Sequence, residues 1–161
     1  MELNIQTFEP KDIKTVTEFL TTYKLPVSDL MEDNVQLFLA YDEEKLVATI
    51  GLEKHGNSGL LRSLAVKETY RDRQLADKMI RGFFGVCESQ QISDVYLLTT
   101  TAEKYFLKKG FLQVDRDSVP GAIKKSREFQ SICPASAIVM HRRVENFVTK
   151  GTATLQNLSR L

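Results

Sequence analysis

The sequence predicts an α/β (α+β) protein with a mixed, mostly antiparallel sheet of about seven strands flanked by helices. Its 161 residues suit one domain with a hydrophobic core. Apolar residues make up 42% and charged residues 27%, which is typical of a soluble globular protein. β-prone runs alternate with segments of helical periodicity in the order β-α-α-β-β-β-α-β-α-β-α-β, and this order indicates a sheet with helices on its faces.

The first elements follow from periodicity and from proline. Residues 3–7 alternate as a strand does. Ile13, Val16, Phe19 and Leu20 then share one face of a helix, which Pro26 ends because proline disfavours helical geometry in the residue before it. We expect a second short helix over 28–34.

The middle of the chain is β-prone. Residues 36–40 and 45–53 flank Tyr41-Asp42-Glu43-Glu44 and predict a hairpin. A second turn at 56–59 leads into a strand over 60–66.

The remaining elements alternate. A helix follows Gln74, and Gly110 predicts the end of a later short helix as its C-cap. The predicted ranges are strand 95–98, helix 102–109, strand 111–114, helix 118–130 and strand 137–143. Together they complete a domain over 1–144, and 145–161 is a C-terminal extension that forms a tail or a short helix docking on a partner chain.

Charge, hydrophobicity and cysteine content argue against several classes of protein. The 22 Lys and Arg nearly balance 21 Asp and Glu, which argues against nucleic-acid binding through bulk charge. No apolar stretch approaches the ~20 residues that cross a bilayer. The N-terminus lacks the features of a secretory signal, so we expect a cytoplasmic protein with no membrane partner. Cys87 and Cys133 do not have metal-site spacing, so we expect reduced thiols and no bound metal.

The strand that ends at Val66 enters a polar loop and then a helix. Unpaired N–H groups at such a helix start bind anions, and the nearby Arg71 and Arg73 would add charged contacts to a phosphate. The loop contains neither G-x-x-x-x-G-K-[ST] nor G-x-G-x-x-G. A P-loop or a Rossmann cofactor is therefore not expected.

This loop resembles the acetyl-CoA motif Q/R-x-x-G-x-G/A of the GNAT N-acetyltransferase superfamily. Arg71, Gln74 and Ala76 stand at the motif positions, with glutamine where the family usually has glycine. The resemblance covers about residues 1–144 and implies the GNAT fold with acetyl-CoA as co-substrate. The implied co-substrate-binding residues are Leu64, Ala65, Val66, Arg71, Asp72, Arg73, Gln74, Leu75, Ala76 and Thr99.

A second segment, residues 97–111, is similar to the GNAT unit of a fifth strand, a short helix and Gly-Phe. Many members have asparagine where Thr99 lies and, where Phe106 lies, a tyrosine that protonates the leaving thiolate. Tyr105, one residue away, is the candidate acid, although water can also protonate a thiolate.

A closer resemblance narrows the acceptor. The segments 63–66, 96–103, 114–116 and 128–137 resemble GNAT proteins encoded with bacterial arsenic-resistance genes and, more weakly, the acetyltransferase domain of N-acetylglutamate synthase. Both groups lack the tyrosine. The resemblance implies a small amino-acid-like acceptor that is acetylated on its amine, with arsenical or phosphinic amino acids as the first class.

Candidate acceptor residues come from the same region. Transfer needs a neutral amine, so Glu53 is the first candidate base and His55 the second. Arg62, which we expect on the same strand face as Leu64 and Val66, suits the acceptor's carboxylate or equally a neighbouring acidic side chain. The synthase resemblance adds Ser136 as a donor to that carboxylate.

The sequence therefore predicts an N-acetyltransferase that works by direct attack in a ternary complex with a small-molecule amine. The alternatives are a peptide or protein N-acetyltransferase and a non-catalytic acyl-CoA-binding sensor. The resemblance also admits a homodimer.

Overall fold

The computed structural model describes residues 3–131 and 137–144, without the side chains of Asp72, Arg73 and Ser131. The strands are β1 (Asn4–Thr7), β2 (Val35–Asp42), β3 (Lys45–His55), β4 (Ser58–Val66), β5 (Asp94–Thr99), β6 (Leu112–Val114) and β7 (Ile138–Arg143). The α-helices are α1 (Ile13–Thr22), α2 (Leu75–Ser89), α3 (Glu103–Lys108), α4 (Gly121–Lys124) and α5 (Arg127–Ser131). Short 3-10 helices span Pro10–Asp12, Glu68–Arg73 and Arg116–Ser118.

The seven described strands form one sheet in the order β1-β2-β3-β4-β5-β7-β6. All neighbours are antiparallel except β4 and β5, which are parallel. This parallel pair is short, since only Ser58, Gly59 and Leu60 pair with β5. The predicted mixed, mostly antiparallel sheet of about seven strands is confirmed.

The two faces of the sheet carry different cores. The α2 face is covered by a helix whose apolar residues recur at helical spacing, and it buries Phe83, Phe84, Phe106 and Phe111 in one cluster. The opposite α1 face packs Val16 and Leu20 of α1 against β2. A smaller cluster that includes Ile123 and Phe129 packs near Leu60.

The helix predicted over 28–34 is wrong. Residues 28–34 form consecutive turns, in which Asp29 O accepts from the N–H of Glu32 and Glu32 O accepts from Val35. Asp and Asn favour turns over helix interiors. Asp29 is buried, and its carboxylate accepts hydrogen bonds from Arg62.

The predicted helix over 118–130 is divided into α4 and α5. Pro120 precedes α4, and its carbonyl accepts from the N–H groups of Ile123 and Lys124. Ser126 starts α5, because its Oγ accepts from Phe129 N at 3.1 Å.

Smaller predictions can also be compared with the structure. The C-cap of α3 is Lys109, one residue before the predicted Gly110, and Gly110 follows it with φ +89°, the conformation in which glycine commonly ends a helix. Cys87 is a free thiol in the core, where burial raises its pKa to about 12. None of the described helices is long and apolar enough to span a membrane. Cys133, Ser136 and the extension 145–161 lie outside the described residues.

Candidate active site

A cleft opens where β4 and β5 separate after their short parallel pairing. Its volume is about 480 Å³. Lining residues come from the α1–β2 segment, β4, β5, the start of α3 and α5. The lining includes Lys24, Arg62, Ser63, Leu64, Thr99, Tyr105 and Glu128.

A bulge in β4 decides which side chains face each side of the cleft. Thr49 pairs with Ala65 and Gly51 with Arg62, so β4 carries one more residue than β3 over this stretch. Ser63 lies in the bulge at φ +57°, and its carbonyl accepts from Thr49 Oγ1 at 2.7 Å. The extra residue interrupts the strict alternation of side chains along the strand.

Because of this bulge, Arg62 does not share a face with Leu64 and Val66. Arg62 pairs with Gly51, which pairs with Leu37 of the α1-face core. Val66 pairs with Ala48, and both belong to the α2-face core. The expectation of a shared face is wrong because it assumed regular alternation.

Backbone groups border the cleft on what we call the donor side: the β4 edge over 61–66, of which 61–64 line the cleft, together with residues 71–76, where Arg71 contacts the lining residue Tyr23. β5 pairs with β4 only at 58–60, so that the edge beyond is not hydrogen-bonded to β5. The first N–H groups of α2 also lack intrahelical partners. Gln74, which precedes α2, has φ +56° and ψ +25°. Glutamine thus adopts the left-handed conformation that glycine reaches more easily, at the position where the family motif has glycine.

Arg71 contacts the C-terminal end of β4 and the residue that follows α1. Its Nε donates to the carbonyl of Val66 at 3.1 Å, and its guanidinium lies 5.5 Å from the ring centroid of Tyr23. Leu75 is buried in the α2-face core, and Ala76 packs against the same core. The predicted side-chain roles of Asp72 and Arg73 lie outside the described residues.

Thr99 and Tyr105 both line the cleft and both make contacts within the protein. The hydroxyl oxygen of Thr99 accepts from the N–H of Ala102 at 2.9 Å and orders the loop before α3. Tyr105 donates its hydroxyl hydrogen to Asp77 Oδ1 at 2.7 Å, and Lys109 Nζ lies 2.7 Å from the same oxygen. Burial and the Asp77 carboxylate raise the pKa of Tyr105.

A buried charge cluster contributes Arg62 and Glu128 to the cleft lining, and we call this cluster the acceptor side: Arg62 with Asp29, Glu53 and Glu128. Nη1 and Nη2 of Arg62 each donate to one oxygen of Asp29 at 2.7 Å. Nη1 also donates to Glu53 Oε1 at 2.9 Å, and Nη2 lies 3.4 Å from Glu128 Oε2. The Arg62 side chain is 0% exposed. Its stem crosses Gly51, where an added Cβ would lie 3.2 Å from Arg62 Cγ.

The pKa values of Asp29 and Glu128, two of the carboxyl groups around Arg62, are shifted in opposite directions. Burial tends to raise the pKa of Asp29, but the hydrogen bond and charge of Arg62 outweigh burial and the pKa lies below its usual value. Burial raises the pKa of Glu128 to about 7, against the opposing charge of Arg62 and with support from Asp29 and Glu53. Glu53 has both oxygens engaged, since Oε2 lies 2.6 Å from His55 Nε2.

The structure therefore brings together Glu53, His55 and Arg62, which the sequence proposes separately as two candidate bases and a carboxylate partner, and adds Asp29 and Glu128, to which the sequence assigned no role. The available signal is weak: each acidic residue precedes a buried apolar one, Leu30 and Phe129. In the described part of the chain, no group of three His, Cys, Asp or Glu side chains is arranged to hold a metal ion.

Comparisons with known proteins identify the family of this domain. The family model described as the acetyltransferase (GNAT) domain matches residues 33–113, and the chain belongs to that family. This match includes the bulged β4 strand, the loop at 71–76 and the Gly110-Phe111 unit.

Two known proteins are similar to this chain in sequence or in fold. An amino-acid acetyltransferase of Shewanella oneidensis is 26% identical over 103 residues, which are 62% of this chain and 23% of that protein. The chain thus spans about a quarter of that relative. An acetyltransferase of the GNAT family from Staphylococcus aureus has a similar fold, with a TM-score of 0.74, 21% identity and coverage of 89% of this chain and 100% of that one.

The third similar protein is N-acetylglutamate synthase from Neisseria gonorrhoeae, solved with coenzyme A and N-acetyl-glutamate. Its TM-score is 0.76 at 15% identity, over 90% of this chain and 36% of that one. At this level of identity the likeness concerns the fold.

Proposed function

We propose that this protein transfers acetyl from acetyl-CoA to the amine of a small amino-acid-like acceptor, by direct attack in a ternary complex. The observation that carries the proposal is the cleft between β4 and β5, which is lined both by the unpaired edge of β4 and by Arg62 and Glu128 of a buried charge cluster. Its volume of about 480 Å³ lies within the range of small-molecule sites.

The donor side suits acetyl-CoA. The free β4 edge at Leu64, Ala65 and Val66 can hydrogen-bond the pantetheine amides as an added strand would. The N–H groups at Gln74, Leu75 and Ala76, with the charges of the 71–73 segment, suit the pyrophosphate. A β4 N–H group would also stabilise the negative charge that develops on the thioester oxygen.

Direct attack fits the side chains of the cleft. Ser63 Oγ accepts from Arg62 Nε at 3.3 Å, and an arginine cannot act as the base that a nucleophilic serine needs. Cys87 is buried with a raised pKa. Neither of these described side chains is an activated nucleophile, which supports attack by the acceptor amine itself, with the leaving thiolate taking its proton from water or from Tyr105.

The acceptor's carboxylate has a more accessible partner than Arg62. A carboxylate at Arg62 would compete with Asp29 and Glu53, which already hold the guanidinium. Lys24 is exposed and lines the same cleft, so it suits that carboxylate better, with Ser136 remaining a proposed second donor. Arsenical and phosphinic amino acids remain the first acceptor class to test, because that class rests on the closer family resemblance. A cytoplasmic location and a homodimer also remain proposals.

The first experiment is a CoA-release assay with purified protein, acetyl-CoA and a panel of amines. The panel contains glutamate, other amino acids, phosphinothricin, arsinothricin, a polyamine and a peptide. We expect selective turnover of one amino acid or analogue. Turnover of the peptide alone would favour the protein-acetylating alternative. If no amine is acetylated while calorimetry still shows acetyl-CoA binding, the result would contradict the proposed enzymatic activity and favour the non-catalytic acyl-CoA-binding sensor.

A further inference from the structure

The acceptor side holds more carboxylates than its arginine neutralises. Asp29 of the α1–β2 segment, Glu53 of β3 and Glu128 of α5 face a single guanidinium from β4. Among the described residues, the other ionisable groups that contact the cluster or line the cleft are His55, which contacts Glu53, Arg127, whose charge acts on Asp29, and the cleft residues Lys24, Tyr23 and Tyr105. With all three carboxylates ionised, the cluster around Arg62 is negative.

Glu128 is the carboxylate that the cluster does not satisfy. Asp29 accepts two hydrogen bonds from Arg62, and Glu53 contacts Arg62 and His55 through different oxygens. Glu128 Oε2 is buried and accepts no hydrogen bond from any described residue, although Arg62 Nη2 lies 3.4 Å away. The side chain is 6% exposed and lines the cleft. A buried carboxylate oxygen that accepts no hydrogen bond is costly even beside an arginine, so an ammonium donor at this point would be favourable.

We propose that Glu128 binds the ammonium group of the acceptor inside the cleft and removes its proton before attack. This inference deepens the proposed function and rests on it. One proton passes from the ammonium to the Glu128 carboxylate, leaving a neutral amine and a carboxylic acid. The amine nitrogen then forms a bond to the thioester carbon, and the carbon–sulfur bond breaks.

The proton count closes. The nitrogen loses its second proton as the amide forms, and the departing thiolate gains one to give CoA thiol. Glu128 releases the first proton to solvent. Each turnover thus consumes one ammonium and one acetyl-CoA and yields one amide, one thiol and one proton.

The protonation behaviour of the cluster supports this role. A general base works best when its pKa lies near the working pH, and burial raises the pKa of Glu128 to about 7. Glu53 is less available because both of its oxygens are held. We therefore assign Glu53 as a positioning residue that fixes Arg62 and His55, in place of the base that the sequence predicts.

The test compares Glu128→Gln with wild type and with Glu103→Gln, an exposed and chemically matched control on α3. For the acceptor that the panel identifies, kcat/KM of wild type should rise with pH and level off above about 7. Glu128→Gln should lose roughly 100-fold or more at pH 7 and lose the dependence on this group. Its affinity for acetyl-CoA in calorimetry should not change, and Glu103→Gln should match wild type. Glu128→Asp should recover the pH dependence at a lower rate.

Two kinetic results would overturn the inference. One is activity of Glu128→Gln within threefold of wild type. The other is that Glu53→Gln loses the rise of kcat/KM with pH while Glu128→Gln keeps it. That result would assign the general base to Glu53.

A binding measurement separates this inference from the proposed function. Thermal unfolding of wild type in the presence of the panel's amines should show a rise in midpoint that Glu128→Gln lacks, whether or not acetyl is transferred. No turnover together with this difference contradicts the enzyme and supports the ammonium site. An equal response of wild type and Glu128→Gln, including no response in either, overturns the ammonium site. The same melts report whether each variant folds.

Discussion

The donor and acceptor sides of the cleft are built from different parts of the polypeptide. The donor side consists mainly of backbone groups, from the β4 edge and the start of α2 within about 15 residues of chain. The acceptor side consists of side chains at 29, 53, 62 and 128, from four separate segments. Backbone groups follow from the fold, so that any chain with this fold offers a similar donor side. The side-chain cluster belongs to this sequence and is where acceptor specificity can arise.

The two sides also contribute differently to stability. The donor side contains strained backbone, with Ser63 and Gln74 both at positive φ. The acceptor side contains a buried ion cluster, in which desolvation and attraction nearly cancel while all partners are present. Removing one partner from such a cluster leaves buried charge behind, which is far more costly than removing an exposed charge.

The largest effect is therefore expected at Arg62. Arg62→Met should lower the free energy of unfolding by about 3–5 kcal/mol at pH 8, because it removes the buried guanidinium that Asp29, Glu53 and Glu128 share. The matched donor-side change, Arg71→Met, removes an exposed guanidinium and should cost about 1 kcal/mol or less. Urea unfolding of both variants measures the difference.

The pH dependence of Arg62→Met has a defined sign. Without Arg62, burial is no longer opposed by the guanidinium, so the folded-state pKa values of Asp29 and Glu128 should rise above their unfolded values. Stability from such groups is present at low pH and is lost as pH rises, so the deficit should be smaller at pH 5 than at pH 8. Equal losses for Arg62→Met and Arg71→Met, or a deficit that grows on acidification, would contradict the distinction between the two sides.

The same distinction explains what the sequence could predict. Strand alternation, helical periodicity, Gly110 and the loop at 71–76 are local patterns, and they predict the sheet, the element order and the donor side. The bulge at Ser63 is not visible locally, since it is an insertion relative to β3. That one residue reverses the expected face of Arg62.

The acceptor side could be predicted only in part. Glu53 and Arg62 lie on adjacent strands that form a hairpin, so a local pattern places them near each other. Asp29 and Glu128 reach the cluster from segments that were both expected to be helical, and the structure has turns in one and a divided helix in the other. Their contacts depend on how these irregular segments cross the sheet face, which periodicity does not report.

An intermediate effect is expected at Gln74. Gln74→Gly should stabilise the fold by up to about 1 kcal/mol, because glycine adopts positive φ without the penalty of a Cβ, less its own entropic cost. It should also tighten acetyl-CoA binding, since the backbone of the loop becomes more accessible. Denaturant unfolding and calorimetry measure the two effects.

Gln91 provides a matched control for this prediction. It is also a glutamine at positive φ, 60°, but it follows α2 at the end opposite the loop. Gln91→Gly should give a similar stabilisation with no change in acetyl-CoA affinity. If both variants bind acetyl-CoA equally, the backbone at position 74 does not limit co-substrate binding, and the donor side depends on side chains more than proposed.

The smallest catalytic effect is expected at Tyr105, where a side chain borders the donor side. Tyr105→Phe should lower kcat by less than about threefold, because its hydroxyl already donates to Asp77 and water can protonate a thiolate. Loss of the Asp77 hydrogen bond should cost about 1 kcal/mol of stability. Tyr96→Phe, a similarly half-buried tyrosine on β5, controls for removing a hydroxyl. A fall in kcat of tenfold or more in Tyr105→Phe alone would assign the acid to Tyr105, as the sequence predicts. The donor side would then need a specific side chain as well as backbone, and the distinction between the two sides would hold for binding but not for catalysis.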